Sequence, residues 1–375
     1  MNLTLLKFAP CLSVAFAGMV AEECRGGPEP TGADFSQFVG LEDFSKFTRA
    51  ESFGNATVLL SPVIPSRLHW NQLVVSWNAS SPPGSSLKVE ARAITSDHTS
   101  KFYNLGNWTP DDKAFPRASV TGQSDADGDV NVDTLVLSRP VESTQLRLTL
   151  GDGGAGPPRL KFLSLSFCDT SVTPAVLPPN RAAWGKIIPT PERSQQSYAG
   201  GGGWCSPTSL SMVLSHWAAV VHRPDWDFDA PATATGVLDH NFSKATGNWP
   251  FNTAFAGGIN GLRACVTRFS DISELEDWIA AGIPVIISAR YDLLQDGRDE
   301  DLNGHLTVCR GFTDTGDLVI NDPWTDVKVE SIRHIYKRAN VTRAWATSHN
   351  TVYLVYPEKS PLPRDRFGHW SNPAP

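Results

Sequence analysis

The chain has 375 residues, enough for two domains with separate cores, and its 41% hydrophobic fraction is that of an ordinary globular protein. The formal net charge of −7 is mild and no basic run exceeds two residues, which argues against nucleic acid as a partner, because phosphate binding needs clustered lysine and arginine. Abundant glycine, proline and tryptophan beside three methionines favour strands and loops over long helices.

The first segment, MNLTLLKFAPCLSVAFAGMVAEE, is apolar with one lysine and turns acidic at Glu22. It reads as a secretory signal over residues 1–21, with Ala15-Phe16-Ala17 or Ala21 marking the cut. Lys7 and Pro10 leave it too short to span a membrane. The expectation is a secreted, extracellular protein without a membrane span in its mature form. N-x-S/T triplets at Asn55, Asn78, Asn107, Asn241 and Asn340 fit a glycoprotein on that route. Loss of the signal removes Cys11 and leaves Cys24, Cys168, Cys205, Cys265 and Cys309. In an oxidising compartment an odd count leaves one thiol over, and Cys205 is the candidate.

Residues 22–51 are polar, weakly amphipathic from Phe35 to Phe47, and read as a lead-in without a core of its own. From 52 to 169 short runs alternate: QLVVSWNA, LKVEARAI, VDTLVLS, TQLRLTL and LKFLSLSF, split by SPPGSS, DADGD and GDGGAGPP. Such spacing predicts an antiparallel β-sandwich, a module suited to holding a glycan or cell-wall ligand. Cys168 ends its last strand and could close onto Cys24. The acidic stretch SDADGDVNVD, residues 124–133, suggests calcium but fails the EF-hand template, and is taken as an Asp-Gly hairpin turn.

TSVTPAVLPPNRAAWG, residues 170–185, reads as a semi-rigid linker, and mixed α/β texture follows from 186 to 357. One helix begins at Cys205 with Leu210, Val213, Leu214 and Trp217 on one face and His216 on the solvent side. A second runs from about Ile272 to Ala281, with Asp271 as N-cap, Leu275, Trp278 and Ile279 inward, and Gly282 as terminator. Pro284 introduces the strand PVIISA, and two further strands, GHLTVCRGF and DLVINDPW, flank a DTG turn. His216, His222 and His240 show no zinc-ligand spacing. Residues 358–375 read as a disordered tail. The fold class is α+β, a β-sandwich followed by an α+β domain.

The chemistry concentrates in GGGGWCSPTSLSMVLSHW, residues 200–217. A cysteine is nucleophilic as its thiolate, which unpaired N–H groups at a helix N-terminus favour. Pro207 fits a first helical turn, the glycines let a bound chain approach, and Trp204 could wall a cleft. A base must come from elsewhere. His305 opens one strand and Asp322 closes the next, and a tight turn at Thr315-Gly316 folds them side by side. Taken singly, Cys205 reads equally as a buried inert thiol, His305 as a core histidine and Asp322 as a turn cap before Pro323. The joint arrangement is much harder to obtain by accident.

The order Cys, His, Asp resembles papain-like cysteine peptidases, and more closely the C39-like family related to bacteriocin-leader-processing peptidases. The residues that carry the resemblance are Arg193-Ser-Gln-Gln, WCSPTSLSMVL from Trp204, GIPVIIS from Gly282, GHLTVCRGF from Gly304 and INDPW from Ile320, within 186–356. The resemblance implies Cys205 as nucleophile, His305 as general base and acid, Asp322 as orienter, and no metal or organic cofactor. It also implies an oxyanion glutamine about six residues before the cysteine, where this chain has Ala199. Gln195 and Gln196 stand ten and nine before, and Gln195 is favoured by its Arg-Ser-Gln setting. Ser206 replaces a glycine common in the family.

The expected function is a secreted thiol hydrolase of amide bonds, with peptides as the default substrate. Cell-wall or glycan-linked amides, and transfer to another acceptor, are alternatives. The rival is a non-catalytic extracellular binding protein whose sandwich does the work, against which the intact Cys/His/Asp set argues. Cys265 and Cys309 both fall in strands, as a disulfide or as two buried thiols, and Cys309 shares a strand face with His305.

Overall fold

A computed structural model describes residues 34–50, 54–112, 115–242, 245–295, 300 and 304–371. The signal sequence and Cys24 lie outside these residues.

The first unit is antiparallel: β1 (Ser36–Leu41), β2 (Thr48–Arg49), β3 (Ala56–Leu60), β4 (Ile64–Ser80), β5 (Ser86–Ile94), β6 (Tyr103–Trp108), β7 (Gly128–Asn131), β8 (Thr134–Gly151) and β9 (Arg159–Cys168). The pairing order is β1-β9-β4-β8-β3-β2, with β5 and β7 on β8 and β6 on β5. Long β8 serves two layers. Its first half pairs with β4 and β7, and its second half lies between β3 and β5. Trp77, Val89, Leu146, Leu163 and Phe167 fill the space between the layers.

The run QLVVSWNA is buried on both faces because one layer is covered by the second domain. Leu73, Val75 and Trp77 point into the sandwich core, while Val74, Ser76 and Asn78 face the other way. Asn78 Nδ2 donates to the Ala264 carbonyl (2.6 Å) and its Oδ1 accepts the Ala264 N–H (3.0 Å), while Ser76 Oγ accepts from the Val266 N–H (3.0 Å). These side chains pair the outermost strand of the second domain's sheet, as an unpaired edge requires. Asn78 therefore cannot carry a glycan in this fold, which corrects that triplet's reading. Gly257 is needed beside it, since a Cβ there would lie 2.2 Å from Asn78 Nδ2.

The second unit comprises α1 (Cys205–Val220), α2 (Ala230–Val237), α3 (Trp249–Gly258), β10 (Leu262–Arg268), α4 (Ile272–Ala280), β11 (Val285–Arg290), α5 (Tyr291–Gln295), β12 (Gly304–Phe312), β13 (Leu318–Asn321), β14 (Arg333–Tyr336), α6 (Arg338–Ala346) and β15 (Thr351–Pro357). Its sheet runs β10-β15-β11-β12-β13-β14, all antiparallel. The molecule is thus α+β. α1 buries Leu210, Val213, Leu214 and Trp217 as expected, but His216 is not on a solvent face. The helix is covered on both sides, so His216 is buried and its Nδ1 lies 3.1 Å from the Pro189 carbonyl. α4 has its expected Asp271 cap, accepting the Ser273 and Glu274 N–H groups, and Gly282 at φ +86° ends it.

The two ends of the chain are packed where described. β1 extends the sheet along β9, with Phe35 and Phe38 buried. Phe38 also exchanges backbone bonds with the tail: its N–H donates to the His369 carbonyl and its carbonyl accepts from Ser371. Phe367 and His369 are buried and Arg366 pairs with Asp277. The reading of the tail as disordered is corrected for residues 358–371, which are packed, and β1 of the lead-in takes its burial from β9 and from this tail rather than from a core of its own. The SDADGD stretch forms a tight turn, with Asp125 Oδ1 accepting the Asp127 and Gly128 N–H groups, ahead of β7. The hairpin reversal itself falls later, at Val132-Asp133, where Val132 has φ +60°. Among the described residues, no helix is long and apolar enough to cross a membrane and no three His, Cys, Asp or Glu side chains gather as a metal site.

Candidate active site

Cys205 is the first residue of α1, half-buried, with no side chain capping the helix and Pro207 in the first turn. The first-turn N–H groups thus remain free to favour an anion. Ser209 Oγ donates to the Leu306 carbonyl (2.9 Å), tying the helix to the strand that carries the base. β12 and β13 form the expected hairpin, closed by Thr313 to Asp317 with Gly316 at φ +87°. Val308 faces Asn321, so Asp322 continues opposite Thr307 and His305 is its diagonal neighbour.

His305 Nε2 sits 2.7 Å from Asp322 Oδ1, and the ring also interacts with the Cys205 thiol. Burial alone would lower the imidazole pKa, yet the charge and hydrogen bond of Asp322, with Cys205, raise it to about 10. Burial works against the Cys205 thiolate, but the hydrogen bond and charge of His305, with the N–H groups of Leu306 and Ser206, bring the thiol below its ordinary value. Asp322 is disfavoured as a carboxylate by burial and still held at about 2 by His305, Tyr336 and the Trp324 N–H. The three groups therefore favour a thiolate, an imidazolium and a carboxylate in a row.

Several supporting residues carried no recognisable motif in the sequence. Tyr336, on β14, donates its hydroxyl to Asp322 Oδ2 at 2.6 Å. Gln295 Nε2 donates to the hydroxyls of Tyr336 (3.2 Å) and Tyr291 (3.0 Å). Tyr291 packs edge-on against the His305 ring, with centroids 5.1 Å apart, and Trp324 continues that wall. Only Trp324 had a signal, as the residue closing INDPW.

Gln195 is buried beside the tetraglycine, whereas Gln196 is exposed. Its Nε2 donates to the Gly201 carbonyl (2.8 Å), its Oε1 has no partner among the described residues, and its N–H donates to the Pro323 carbonyl (2.8 Å). Gln195 thus links the Asp322 segment to the turn that leads into Cys205. A Cβ on Gly201 would lie 2.0 Å from the Gln195 carbonyl oxygen, and Gly200 has φ +82°. At Gly202 and Gly203 a Cβ would meet nothing, so these two leave open backbone beside the nucleophile. Ser206, the departure from glycine, is accommodated by a 3.0 Å contact between its hydroxyl and that of Tyr353.

The remaining described thiols are disfavoured as thiolates. Burial raises Cys168, and pushes Cys265 and Cys309 up to about 12. β10 and β12 are separated by β15 and β11, so Cys265 and Cys309 are two buried thiols. Among the described residues there is no disulfide.

Residues 31–167 match the family model of the peptidase C39 N-terminal domain, and residues 187–353 match that of the peptidase C39-like family. Together they account for most of the chain. The chain belongs to the C39-like cysteine peptidases. Membership assigns it a cysteine-peptidase-type hydrolase domain and, at the same coarse level, a peptide substrate. Among solved structures, a protein from Bacillus anthracis that is itself described by likeness, as a C39-like peptidase, is 18% identical, with 47% of this chain and 99% of that chain covered and a TM-score of 0.36. No curated protein matches the sequence.

Proposed function

We propose that this C39-like protein is a secreted thiol hydrolase that cleaves peptide bonds through an acyl-enzyme on Cys205. The observation that carries the reading is the opposed tuning of one adjoining pair: a thiol lowered and an imidazole raised, with a carboxylate 2.7 Å behind the imidazole. A structural core would gain nothing from such an arrangement, because burial disfavours both charges. Secretion is supported by the pattern of residues 1–21.

In the proposed reaction the Cys205 thiolate attacks the scissile carbonyl carbon and a C–S bond forms. The oxyanion is held by the Cys205 backbone N–H and the free N–H of the Gln195 amide. The imidazolium gives its Nδ1 proton to the leaving amine as the C–N bond breaks. Neutral His305 then takes a proton from water, which attacks the thioester and releases the acid and the thiol. Asp322, held by Tyr336, keeps the ring oriented throughout.

Mapped alkylation of the folded protein by iodoacetamide across pH 5–10, with His305→Ala alongside, tests the pair. Rapid reaction at Cys205 below pH 7 that disappears in the variant is the expected result. A Cys205 that reacts only as an ordinary thiol would overturn the hydrolase reading in favour of a non-catalytic binding protein.

A further inference from the structure

The backbone leading into Cys205 is a 3-10 turn of three glycines, Gly201–Gly203, a short helix type with poor hydrogen-bond geometry built from the most flexible residue. Two side chains hold its carbonyls. Gln195 grips Gly201, and Thr246 Oγ1, buried, donates to the Gly203 carbonyl at 2.8 Å. The Gly203 carbonyl is one peptide unit before the Cys205 N–H that the proposed mechanism uses for the oxyanion. Fixing it limits how far that N–H can swing.

Thr246 is in turn held within its own domain by a segment that is itself bonded to the sandwich. Its own carbonyl accepts from Asn252 Nδ2, and its neighbour Ala245 accepts from the Asp239 N–H. Asp239 is fully buried. Its carboxylate accepts the Ser119 N–H (3.0 Å) from the sandwich and Asn248 Nδ2 (3.1 Å) from the α3 cap. Asn241 Nδ2 donates to the Ser119 carbonyl (2.8 Å), and the His240 N–H donates to the Arg117 carbonyl (2.9 Å). Arg117, fully buried in the sandwich's β6–β7 connection, donates across the seam to the carbonyls of Thr235 (3.3 Å) and Leu238 (3.2 Å). Its own position is set by Asp112, the Thr109 carbonyl and the Trp108 ring.

We infer that Thr246 is a positioning residue for the oxyanion-stabilising backbone of Cys205, and that the N-terminal sandwich, through Arg117 and Ser119, is a working part of the active site rather than only a ligand-holding appendage. The inference deepens the hydrolase reading and rests on it. Thr246→Val keeps the shape and loses the donor, Thr246→Ser keeps the donor, and Arg117→Met loosens the seam from the sandwich side.

Two probes separate position from reactivity. Iodoacetamide reads the thiolate alone, and its rate at Cys205 stays within about twofold of wild type in all three variants, since none touches His305. An N-acetyl dipeptide aldehyde reads the oxyanion site, because addition of Sγ to its carbon places the oxygen there. Its affinity falls about tenfold in Thr246→Val and Arg117→Met, less than outright loss of a donor, and returns in Thr246→Ser. Hydrogen exchange decides the brace independently of any substrate. The Gly201 and Trp204 N–H groups, bonded to the Tyr198 and Gly201 carbonyls, exchange faster in Thr246→Val and Arg117→Met but not in Thr246→Ser. Unchanged exchange in Thr246→Val, or equal failure of Thr246→Ser, overturns the positioning role. Unchanged exchange in Arg117→Met overturns the sandwich's share. A wild-type protein that ignores the aldehyde while its exchange pattern responds to the variants overturns the hydrolase reading and leaves the brace standing. Should Arg117→Met fail to fold, Asn241→Ala removes a bridge at the exposed rim of the same seam and is read by the same exchange.

Discussion

Replacing Asp322 by asparagine keeps the size of the side chain and removes the charge behind His305. With the carboxylate, His305 is raised to about 10 chiefly against its burial by Asp322, and Cys205 is lowered by His305. Without it, burial dominates the imidazole and the ring is neutral at pH 7. The thiol then loses its cationic partner and returns to about its ordinary 9.0, the N–H groups of Leu306 and Ser206 still offsetting its burial. Such a thiol is about 1% ionised at pH 7, which alone gives a roughly hundredfold slower alkylation. The thiolate that remains is more basic and more nucleophilic, with a Brønsted slope of about 0.4–0.5, so part of the loss is recovered. The expected result is an iodoacetamide rate about ten- to a hundredfold below wild type at pH 7, converging to within about threefold at pH 10. The assay is the pH–rate profile at Cys205 mapped by mass spectrometry, with thermal melting to confirm folding. Superimposable profiles would refute the electrostatic argument. A loss of equal size at every pH would instead mean that Asp322 acts only by holding the hairpin together.

Other outcomes follow from the same geometry. Asp133 is pushed up to about 7, chiefly by burial, so the native state holds a proton that the unfolded chain releases from about pH 4 upward. Its contribution to stability is lost as pH rises between about 4 and 7, and the melting temperature of Asp133→Asn relative to wild type should climb across that window. Asn78→Ala leaves the Ala264 N–H and carbonyl unpaired at a buried edge, at about 1–3 kcal/mol each, so urea unfolding should show a loss of about 2–6 kcal/mol. Gly201→Ala drives a methyl group into the Gln195 carbonyl and should abolish aldehyde capture, whereas Gly202→Ala, which meets nothing, should melt like wild type. In native protein only Cys205 among the described thiols should alkylate; reaction at Cys168, Cys265 or Cys309 without unfolding would contradict their burial.

What was legible in the sequence was local. Cys205 at a helix start needs only Pro207 and the spacing of Leu210, Val213 and Leu214, and the His305–Asp322 pairing needs only two strands and a turn at Gly316. Gln195 could be preferred over Gln196 by its setting, and the structure buries the first and exposes the second. What failed was every inference that required knowing what covers a surface. His216 sits on the less apolar side of α1, and periodicity cannot report that the 189–193 segment closes over it. Asn78 reads as a glycan acceptor until an unpaired strand edge from nearly 190 residues away is laid against it. The near-unbroken apolar run around Val74 and Val75 was the available sign, since strands buried on both faces lose their alternation. β1 and the tail at Trp370 are each too short to signal a core, and only their pairing across the whole chain makes one.

The proposed active site divides along the same line. Its reacting groups come from short-range patterns, but the groups that hold them, Tyr336 on Asp322 and Thr246 on Gly203, come from elements whose placement depends on the assembled sheet and on the sandwich. A hydroxyl in a sequence has no signature, because serine, threonine and tyrosine occur everywhere and acquire a role only through what they face. Geometry at the level of a single peptide unit is therefore set here by contacts between domains. That is why the isolated motif points to the chemistry proposed for this protein while the two domains together are the unit in which that chemistry must be measured.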